Sequence, residues 1–543
     1  MEALNAPPLQ SNGSNGTYGQ LNAVLGTDIS TFLAKFSICH VVVLFLCLSW
    51  GTSSVTTSRR IRVAGAPVHG YWSWFEPTWF FQMRYWKDAH KTIVSGYHKY
   101  KDSPFVLRRQ DHDITILPTK YINELRNVPT AKLSRGKANS LEWGDQWAMR
   151  MLWAHSDWSI KAISENKGGQ MVKYFEAIRR ELDYAYDVEM PRISTDDWTE
   201  INIQPIIGKL LVRIIGKMIV GKPACRSEEW LHLGGHFTED FVAASMIMRV
   251  LPKWLHPIFT NIIPQRHGLK NGIKEARAII DPAIARHEEA KKKRAKGVEV
   301  DEEDSMLNWV VDNADMEEVK DILPQIVLSM FAPAAHTTAM AISNVLFDLC
   351  AHPEWAEKLR TEVTDVTKEF GPVGQRLPVK EWTGKLELLD GFFQESQRMS
   401  QPISITPNRY AHETVTFKDG LTLPKGALIG FVAVHNQIDP EITPNPETFD
   451  PMRSIRKRHS APPEEREKHL AGHYTKENLA FGYGSQACPG RFYAVAVLKM
   501  VLSRIIVDYE LKFKPGHLKP TKYHFLEFII PDPTATLMMR KKK

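Results

Sequence analysis

Residues 478–494, reading NLAFGYGSQACPGRFYA, constrain this chain more than any other stretch. Gly482 and Gly484 permit a tight backbone turn. Pro489 suits the first turn of a helix, and residues 491–507 continue with apolar side chains at helical spacing. Cys488 therefore stands at a helix N-terminus, where the dipole and unpaired N–H groups favour a negatively charged sulfur. A ligating thiolate needs shielding from bulk water and N–H donors around it. Phe481 can provide cover, and Gly490 lets the helix approach a flat cofactor closely. On spacing alone, a buried structural cysteine beside a glycine turn accounts for the same residues.

The other four cysteines, Cys39, Cys47, Cys225 and Cys350, are scattered and none forms a C-x-x-C pair. Such a set is neither a disulfide framework nor a zinc site, so the bulk of the chain is expected in a reducing compartment. With 543 residues and 43% apolar content the chain can bury a large core. A net charge of +7 is mild and suits an acidic partner or anionic membrane surface without requiring nucleic acid. The basic run at 291–294 lies between Glu288, Glu289 and the acidic residues 301–304, which reads as a solvated helix end rather than a nucleic-acid site.

Residues 31–50 are apolar enough to span a bilayer core of about 30 Å as a helix. Lys35 near one end can snorkel to the headgroups. A cleaved signal peptide is the alternative, but residues 1–30 contain no Lys or Arg, which favours an uncleaved signal anchor. Arg59, Arg60 and Arg62 follow the segment and put that side in the cytosol. The expected organisation is a lumenal tail at 1–30, a transmembrane anchor at 31–50, a basic and Pro-containing hinge at 51–70, and a single cytosolic catalytic domain at 71–543, held at the endoplasmic reticulum membrane. Asn12 and Asn15 begin two glycosylation sequons in the lumenal tail. Residues 71–86 contain nine aromatics, which serve either a membrane-resting patch or ordinary core packing.

Residues 105–107 and 114–117 read as short strands across a polar turn. From residue 160 onward the spacing is mainly helical, most clearly over 201–220 and 322–350, with breaks expected at Pro252, Pro257, Pro324 and Pro353. Strand patterns return at 414–417 and 427–434. The expected fold is mainly α with minor β.

Phe481-x-x-Gly484-x-x-x-Cys488-x-Gly490 resembles the haem-binding signature of the cytochromes P-450. Three further segments follow that family's order. Glu395-Ser396-Gln397-Arg398 is similar to its E-x-x-R helix, and residues 449–453 supply Arg453 as the third member of a structural triad. Arg409 stands eleven residues after Arg398, where the resemblance implies a partner for a haem propionate; an exposed strand arginine is the other reading. Residues 332–338, APAAHTT, resemble the family's oxygen-binding helix, with Thr337 as the proton-relay hydroxyl. There the chain departs from the pattern: His336 replaces the usual acid, Ala334 replaces the glycine, and Pro333 enters the helix. His-Thr-Thr at this place is similar to fungal members. Gln486 stands where many members carry a cation toward a propionate. No W-x-x-x-R partner is evident in residues 143–161.

The resemblance covers residues 60–543. It implies a cytochrome P-450 fold after one N-terminal transmembrane helix, haem b held by Cys488 as axial ligand, and a monooxygenase acting on a lipophilic small molecule such as a fungal terpenoid. The chain has no dinucleotide fingerprint and no length for a flavin domain. Electrons are therefore expected from an NADPH-cytochrome P-450 reductase, with cytochrome b5 as a second donor. Arg453, Arg456, Lys457 and Arg458 are candidates to dock it. Residues 237–251, 403–406 and 525–528 are candidate pocket segments. A haem-thiolate isomerase or dehydratase, and a haem-binding protein without turnover, are the rival functions.

Overall fold

In this computed structural model residues 63–144, 156–164, 169–251 and 255–543 are described. The run from Ile322 forms a 29-residue helix, and Pro324 stands in its first turn rather than breaking it, because the N–H that proline lacks has no intrahelical partner there. The run from Ile201 likewise gives a helix once Asn202 caps it, its side chain accepting from the Gln204 N–H.

In chain order, the elements that position the site are β1 (Val68–His69), α1 (Thr78–Lys99), β2 (Phe105–Arg108), β3 (Asp113–Ile116), β4 (Leu133–Ser134), α2 (Arg135–Glu142), α3 (Gly169–Glu189), α4 (Ile203–Ile219), α5 (Glu228–Val250), α6 (Pro264–Ala295), α7 (Leu323–Ala351), α8 (Glu387–Met399), β5 (Ile405–Ala411), β6 (Leu428–Val432), α9 (Met452–Ser460), α10 (Arg491–Asp508), β7 (Tyr523–Phe525) and β8 (Phe528–Ile530).

Six of the strands form one mixed sheet in the order β1-β2-β3-β6-β5-β4. Phe105 faces Ile116 across the antiparallel β2–β3 pair, while Ile429 of β6 pairs with Thr115 on one side and Arg409 on the other. Phe105, Leu107, Leu428 and Val432 enter one apolar cluster, and Val106, Ile429 and Phe431 enter another. Both faces of the sheet are covered, which is why β6 reads as an unbroken apolar run rather than an alternating one. Residues 414–417 contribute only the short strand Val415–Thr416, paired with Thr422–Leu423.

The largest apolar cluster is built around α7, which packs against α4, α5, α6, α8 and α10. Two buried polar contacts tie these helices together. Asp348 of α7 accepts from Ser396 Oγ of α8 at 2.6 Å, and Lys499 of α10 lies 2.5 Å from Asp390 of α8. Such contacts hold a packing register, because a buried charge left without its partner is costly.

The proposed anchor at 31–50 lies outside the described residues. Among the described residues α7 is also long and apolar enough to cross a membrane, but most of it is buried and it is a core helix. The aromatic segment at 71–86 divides between its two readings. Phe81 and Tyr85 are buried against the sheet, while Trp72, Trp74 and Phe75 are 72%, 86% and 71% exposed. The basic run at 291–294 ends α6 and is paired locally, Lys293 with Glu289 and Arg294 with Glu302.

Candidate functional site

The cysteine loop is closed by its own backbone. The Cys488 N–H donates to the Phe481 carbonyl at 2.8 Å and the Ala487 N–H to the Gly484 carbonyl at 3.0 Å. Gly482 and Gly484 adopt φ of +77° and +74°, the left-handed region in which a Cβ is strained. At Gly484 a Cβ would also strike the backbone of Arg126, whose carbonyl accepts from the Ser485 N–H at 2.9 Å. Cys488 is a free, half-buried thiol two residues before Gly490, the N-cap of α10. No side chain caps this helix, so its first N–H groups remain for the sulfur. Arg491 Nη1 donates to the Cys488 carbonyl at 2.8 Å. A Cβ on Gly490 would meet nothing within 4 Å, so the chain leaves room beside the cysteine.

Glu395, Arg398 and Arg453 come together in one cluster. Arg398 forks onto Glu395 with contacts of 2.9 and 2.7 Å, and Arg453 Nε reaches Glu395 at 3.2 Å. Glu395 also accepts the Asp450 N–H at 2.9 Å. The two guanidiniums direct their remaining donors to carbonyls of residues 436 and 444–448, including Pro444, Pro446 and Thr448. One carboxylate thus organises two arginines, and the arginines hold an irregular segment by its carbonyls.

Helix α7 brings the second half of the site. Most of it is buried, yet Pro333 and Thr337 are exposed one turn apart, with Ala334 and Ala341 half-buried. A stripe of small residues along a core helix therefore borders open space. Thr337 Oγ1 donates to the Pro333 carbonyl at 2.7 Å, the carbonyl adjoining the turn where proline supplies no N–H. His336 faces α5 instead. Burial lowers its pKa, only partly offset by the Gly234 carbonyl and Glu239, so the ring is held neutral.

Arg409 is 2% exposed on β5 and donates to the carbonyls of Asn408 at 2.7 Å and Tyr483 at 3.0 Å. Burial pushes its pKa down to about 9, and Arg135 adds to that depression. Among the described residues neither arginine has a carboxylate partner. A buried guanidinium and a second one near it want an anionic ligand. Together with the room beside Gly490 and the open stripe of α7, this fits a flat dicarboxylate such as haem. Arg135 was not evident in the sequence, because an isolated arginine after a two-residue strand carries no spacing signal. Gln486 has its amide engaged on both sides: Oε1 accepts the Arg135 N–H at 2.8 Å and Nε2 donates to the Leu133 carbonyl at 2.7 Å. It fastens the cysteine loop to the start of α2, and the Arg135 guanidinium returns a bond to the Gln486 carbonyl at 2.9 Å. Residues 145–155, most of the stretch in which a W-x-x-x-R partner is not evident, lie outside the described residues.

The family model described as cytochrome P-450 matches residues 151–539. The chain belongs to the cytochrome P-450 family. It is a cytochrome P-450 monooxygenase, an oxidoreductase, and the family implies a haem-iron cofactor. Over its full length it is 59% identical to the cytochrome P-450 monooxygenase sdnB of Sordaria araneosa, covering 100% of this chain and 99% of that protein. It is 35% identical to the monooxygenase ATR4 of Stachybotrys chlorohalonatus, with 95% and 98% covered. The ent-kaurene oxidase of Fusarium fujikuroi is 32% identical, with 98% and 99% covered.

This cytochrome P-450 carries a buried charge cluster that sequence reasoning missed. Glu527, at the tip between β7 and β8, accepts from Tyr85 Oη at 3.0 Å, Arg109 at 3.3 Å and Arg249 at 3.1 Å. Arg109 also meets Glu142 of α2 at 3.1 Å, Arg249 meets Asp111 at 3.4 Å, and Asn408 of β5 donates to Glu142. Trp143 packs beside them on Phe241 of α5 and Phe528 of β8, with ring centroids 5.6 and 4.9 Å apart. The candidate pocket segments at 237–251 and 525–528 thus meet in a latch of charge and aromatic contact, and the one at 403–406 joins them through the Ser404 N–H, which donates to the Glu527 carbonyl at 2.8 Å.

The basic run proposed for donor docking is mostly engaged within the protein. Arg453 serves Glu395, Arg456 pairs with Asp450, and Arg458 lies 2.9 Å from Glu387, leaving Lys457 exposed. A concavity of about 320 Å³ beside the cysteine loop is lined instead by Arg126, Lys468, Lys476 and Arg491, with Glu477 and Tyr474.

Proposed function

We propose that this cytochrome P-450 is a membrane-anchored monooxygenase that holds haem b on Cys488 and inserts one oxygen atom from dioxygen into a lipophilic terpenoid of fungal secondary metabolism. The observation that carries the haem assignment is Cys488 at an uncapped helix start, with the buried Arg409 and half-buried Arg135 nearby, neither paired to a carboxylate among the described residues. Bound haem supplies the activation of dioxygen and the C–H oxidation. Cys488 would ligate the haem iron, Phe481 and Gly484 shape the loop that presents it, and Gly490 leaves room for the macrocycle. Arg409 and Arg135 would hold the propionates, with Gln486 positioning Arg135. Thr337 moves the proton, its hydroxyl set by the Pro333 carbonyl. His336, neutral and turned toward Gly234, supports the packing of α7 on α5 close to that relay.

The terpenoid reading rests on similarity to proteins whose names specify ent-kaurene oxidation and on the aromatic closure around Trp143, which suits an apolar ring system. Exposed Trp72, Trp74 and Phe75 support a membrane-resting surface following the anchor at 31–50, with the catalytic domain on the cytosolic side of the endoplasmic reticulum. The concavity lined by Arg126, Lys468, Lys476 and Arg491 suits an acidic electron donor, an NADPH-cytochrome P-450 reductase with cytochrome b5 as a second source.

The test is conversion of candidate diterpenes by the full-length protein in microsomes with its reductase under ¹⁸O₂. The reading expects one labelled oxygen in the product, dependence on the reductase, and loss of turnover in Thr337→Ala with haem retained. Product formed without reductase and without label identifies an isomerase or dehydratase and overturns it.

A further inference from the structure

Away from the haem site, α5 and α6 cross at a close approach set by glycine. A Cβ on Gly272 of α6 would meet the Phe237 ring of α5 at 2.6 Å and Leu233 at 3.4 Å, and one on Gly268 would collide with the Asp240 carboxylate. The two apolar side chains among these are each preceded by a histidine: His232 before Leu233 and His236 before Phe237. Nearly one turn beyond Gly272 on α6 stands Glu275. One ring nitrogen from each histidine and one carboxylate oxygen of Glu275 all lie within 4.8 Å of one another.

We propose that His232, His236 and Glu275 form a binding site for a divalent transition-metal ion of the zinc class, bridging α5 and α6. The i, i+4 spacing puts both imidazoles on one helix face. His236 Nδ1 lies 2.7 Å from the His232 carbonyl and donates there, so Nε2 is the ring atom turned toward a ligand. That Nε2 stands 3.4 Å from Glu275 Oε2. Bonds of roughly 2.0–2.1 Å to a tetrahedral zinc put neighbouring ligand atoms about 3.3 Å apart, so one edge of the site is already set. The rigid glycine crossing holds that edge, because neither helix can slide without displacing Phe237 or Asp240.

Two imidazoles and one carboxylate suit zinc, copper or nickel and not magnesium or calcium, which take oxygen donors. His232 is exposed, so an ion enters from solvent and water completes its coordination. An ordinary ion pair accounts for His236 and Glu275 but not for the second imidazole, whose ring centroid lies 4.4 Å from that of His236. The bound ion clamps α5 near its start, and the far end of the same helix carries Arg249 into the buried charge latch.

The test uses tag-free, full-length, haem-loaded protein in detergent, stripped with EDTA and then freed of chelator. Calorimetric titration with ZnCl₂ is expected to show one ion per chain and to raise the temperature at which the Soret band is lost, while MgCl₂ does neither. His232→Gln, His236→Gln and Glu275→Gln are each expected to weaken zinc binding by about tenfold or more and remove the thermal shift. Circular dichroism and the Soret spectrum of the metal-free variants are expected to match the parent. Absence of stoichiometric zinc binding, an equal response to magnesium, or undiminished zinc affinity in the double histidine variant overturns the proposal.

Discussion

Glu527→Gln keeps the shape of the side chain and removes one buried negative charge. In the native cluster Asp111 and Glu527 face Arg109 and Arg249, and burial raises the pKa of Glu142, weakening it as a counter-charge. Burial alone would raise Glu527 too, but Arg249 and Arg109 overturn that and hold it below the ordinary carboxylate range. Oε1 of Glu527 accepts from Tyr85 and Arg109, and Oε2 accepts from Arg249. Glutamine keeps the first acceptor but aims an NH₂ at Arg249, replacing a charge-assisted bond with a donor facing a donor. A hydrogen bond to a charged group contributes about 1.5–3 kcal/mol, and leaving one partner of a buried pair unmatched costs about 3–5 kcal/mol. The expected loss is about 3 kcal/mol, a large part of a typical ~5–15 kcal/mol stability. Glu142→Gln is expected to cost less than half as much, because the charge it removes is already disfavoured by burial. The assay is urea unfolding of the haem-loaded protein, followed by the Soret band. Equal losses for the two variants, or a loss under about 1 kcal/mol for Glu527→Gln, would refute the reasoning.

Three further outcomes are expected. Arg398→Lys replaces a planar fork with a point charge, so the bonds to Glu395, Pro446 and Thr448 cannot all form; haem content of the purified protein should fall severalfold while expression persists. Gly484→Ala forces a Cβ at φ +74° against Arg126 and should impair folding, whereas Gly490→Ala meets no chain atom within 4 Å and should spare the apoprotein fold while loosening haem retention, read by haem transfer to a scavenger. Asp111 and Glu527 have depressed folded pKa values, so their contribution is present above the ordinary carboxylate range near ~4 and is lost as pH falls through the lower folded values; Glu142, raised, acts in the opposite sense. Thermal stability should therefore drop steeply below about pH 4, and less steeply in Glu527→Gln.

What was legible in the sequence was local. The turn glycines, Cys488 and the helix after it lie in one short segment, and Glu395 with Arg398 share one helix face, so spacing carries their geometry. The start of α7 was misread as a break because Pro324 can either end a helix or begin one, and only the packing of the following apolar face decides which. The latch was invisible for a different reason. Arg109, Asp111, Glu142, Arg249 and Glu527 come from four distant segments, and in sequence each is an ordinary surface charge; burial arises only when the tip between β7 and β8 folds against α1, α2 and α5. Arg135 was missed similarly, since its closeness to Arg409 depends on the pairing of β4 with β5, where Ser134 faces Tyr410. The aromatic segment at 71–86 could not be divided from spacing, because the sheet buries Phe81 and Tyr85 and leaves Trp72 and Trp74 outside.

The carbon-monoxide difference spectrum of the reduced full-length protein tests the central claim most directly. Thiolate ligation by Cys488 predicts the strongly red-shifted Soret band of a cysteine-bound ferrous carbonyl, and its disappearance in Cys488→Ser. A band at the position typical of imidazole ligation, or an unchanged spectrum in the serine variant, would contradict it.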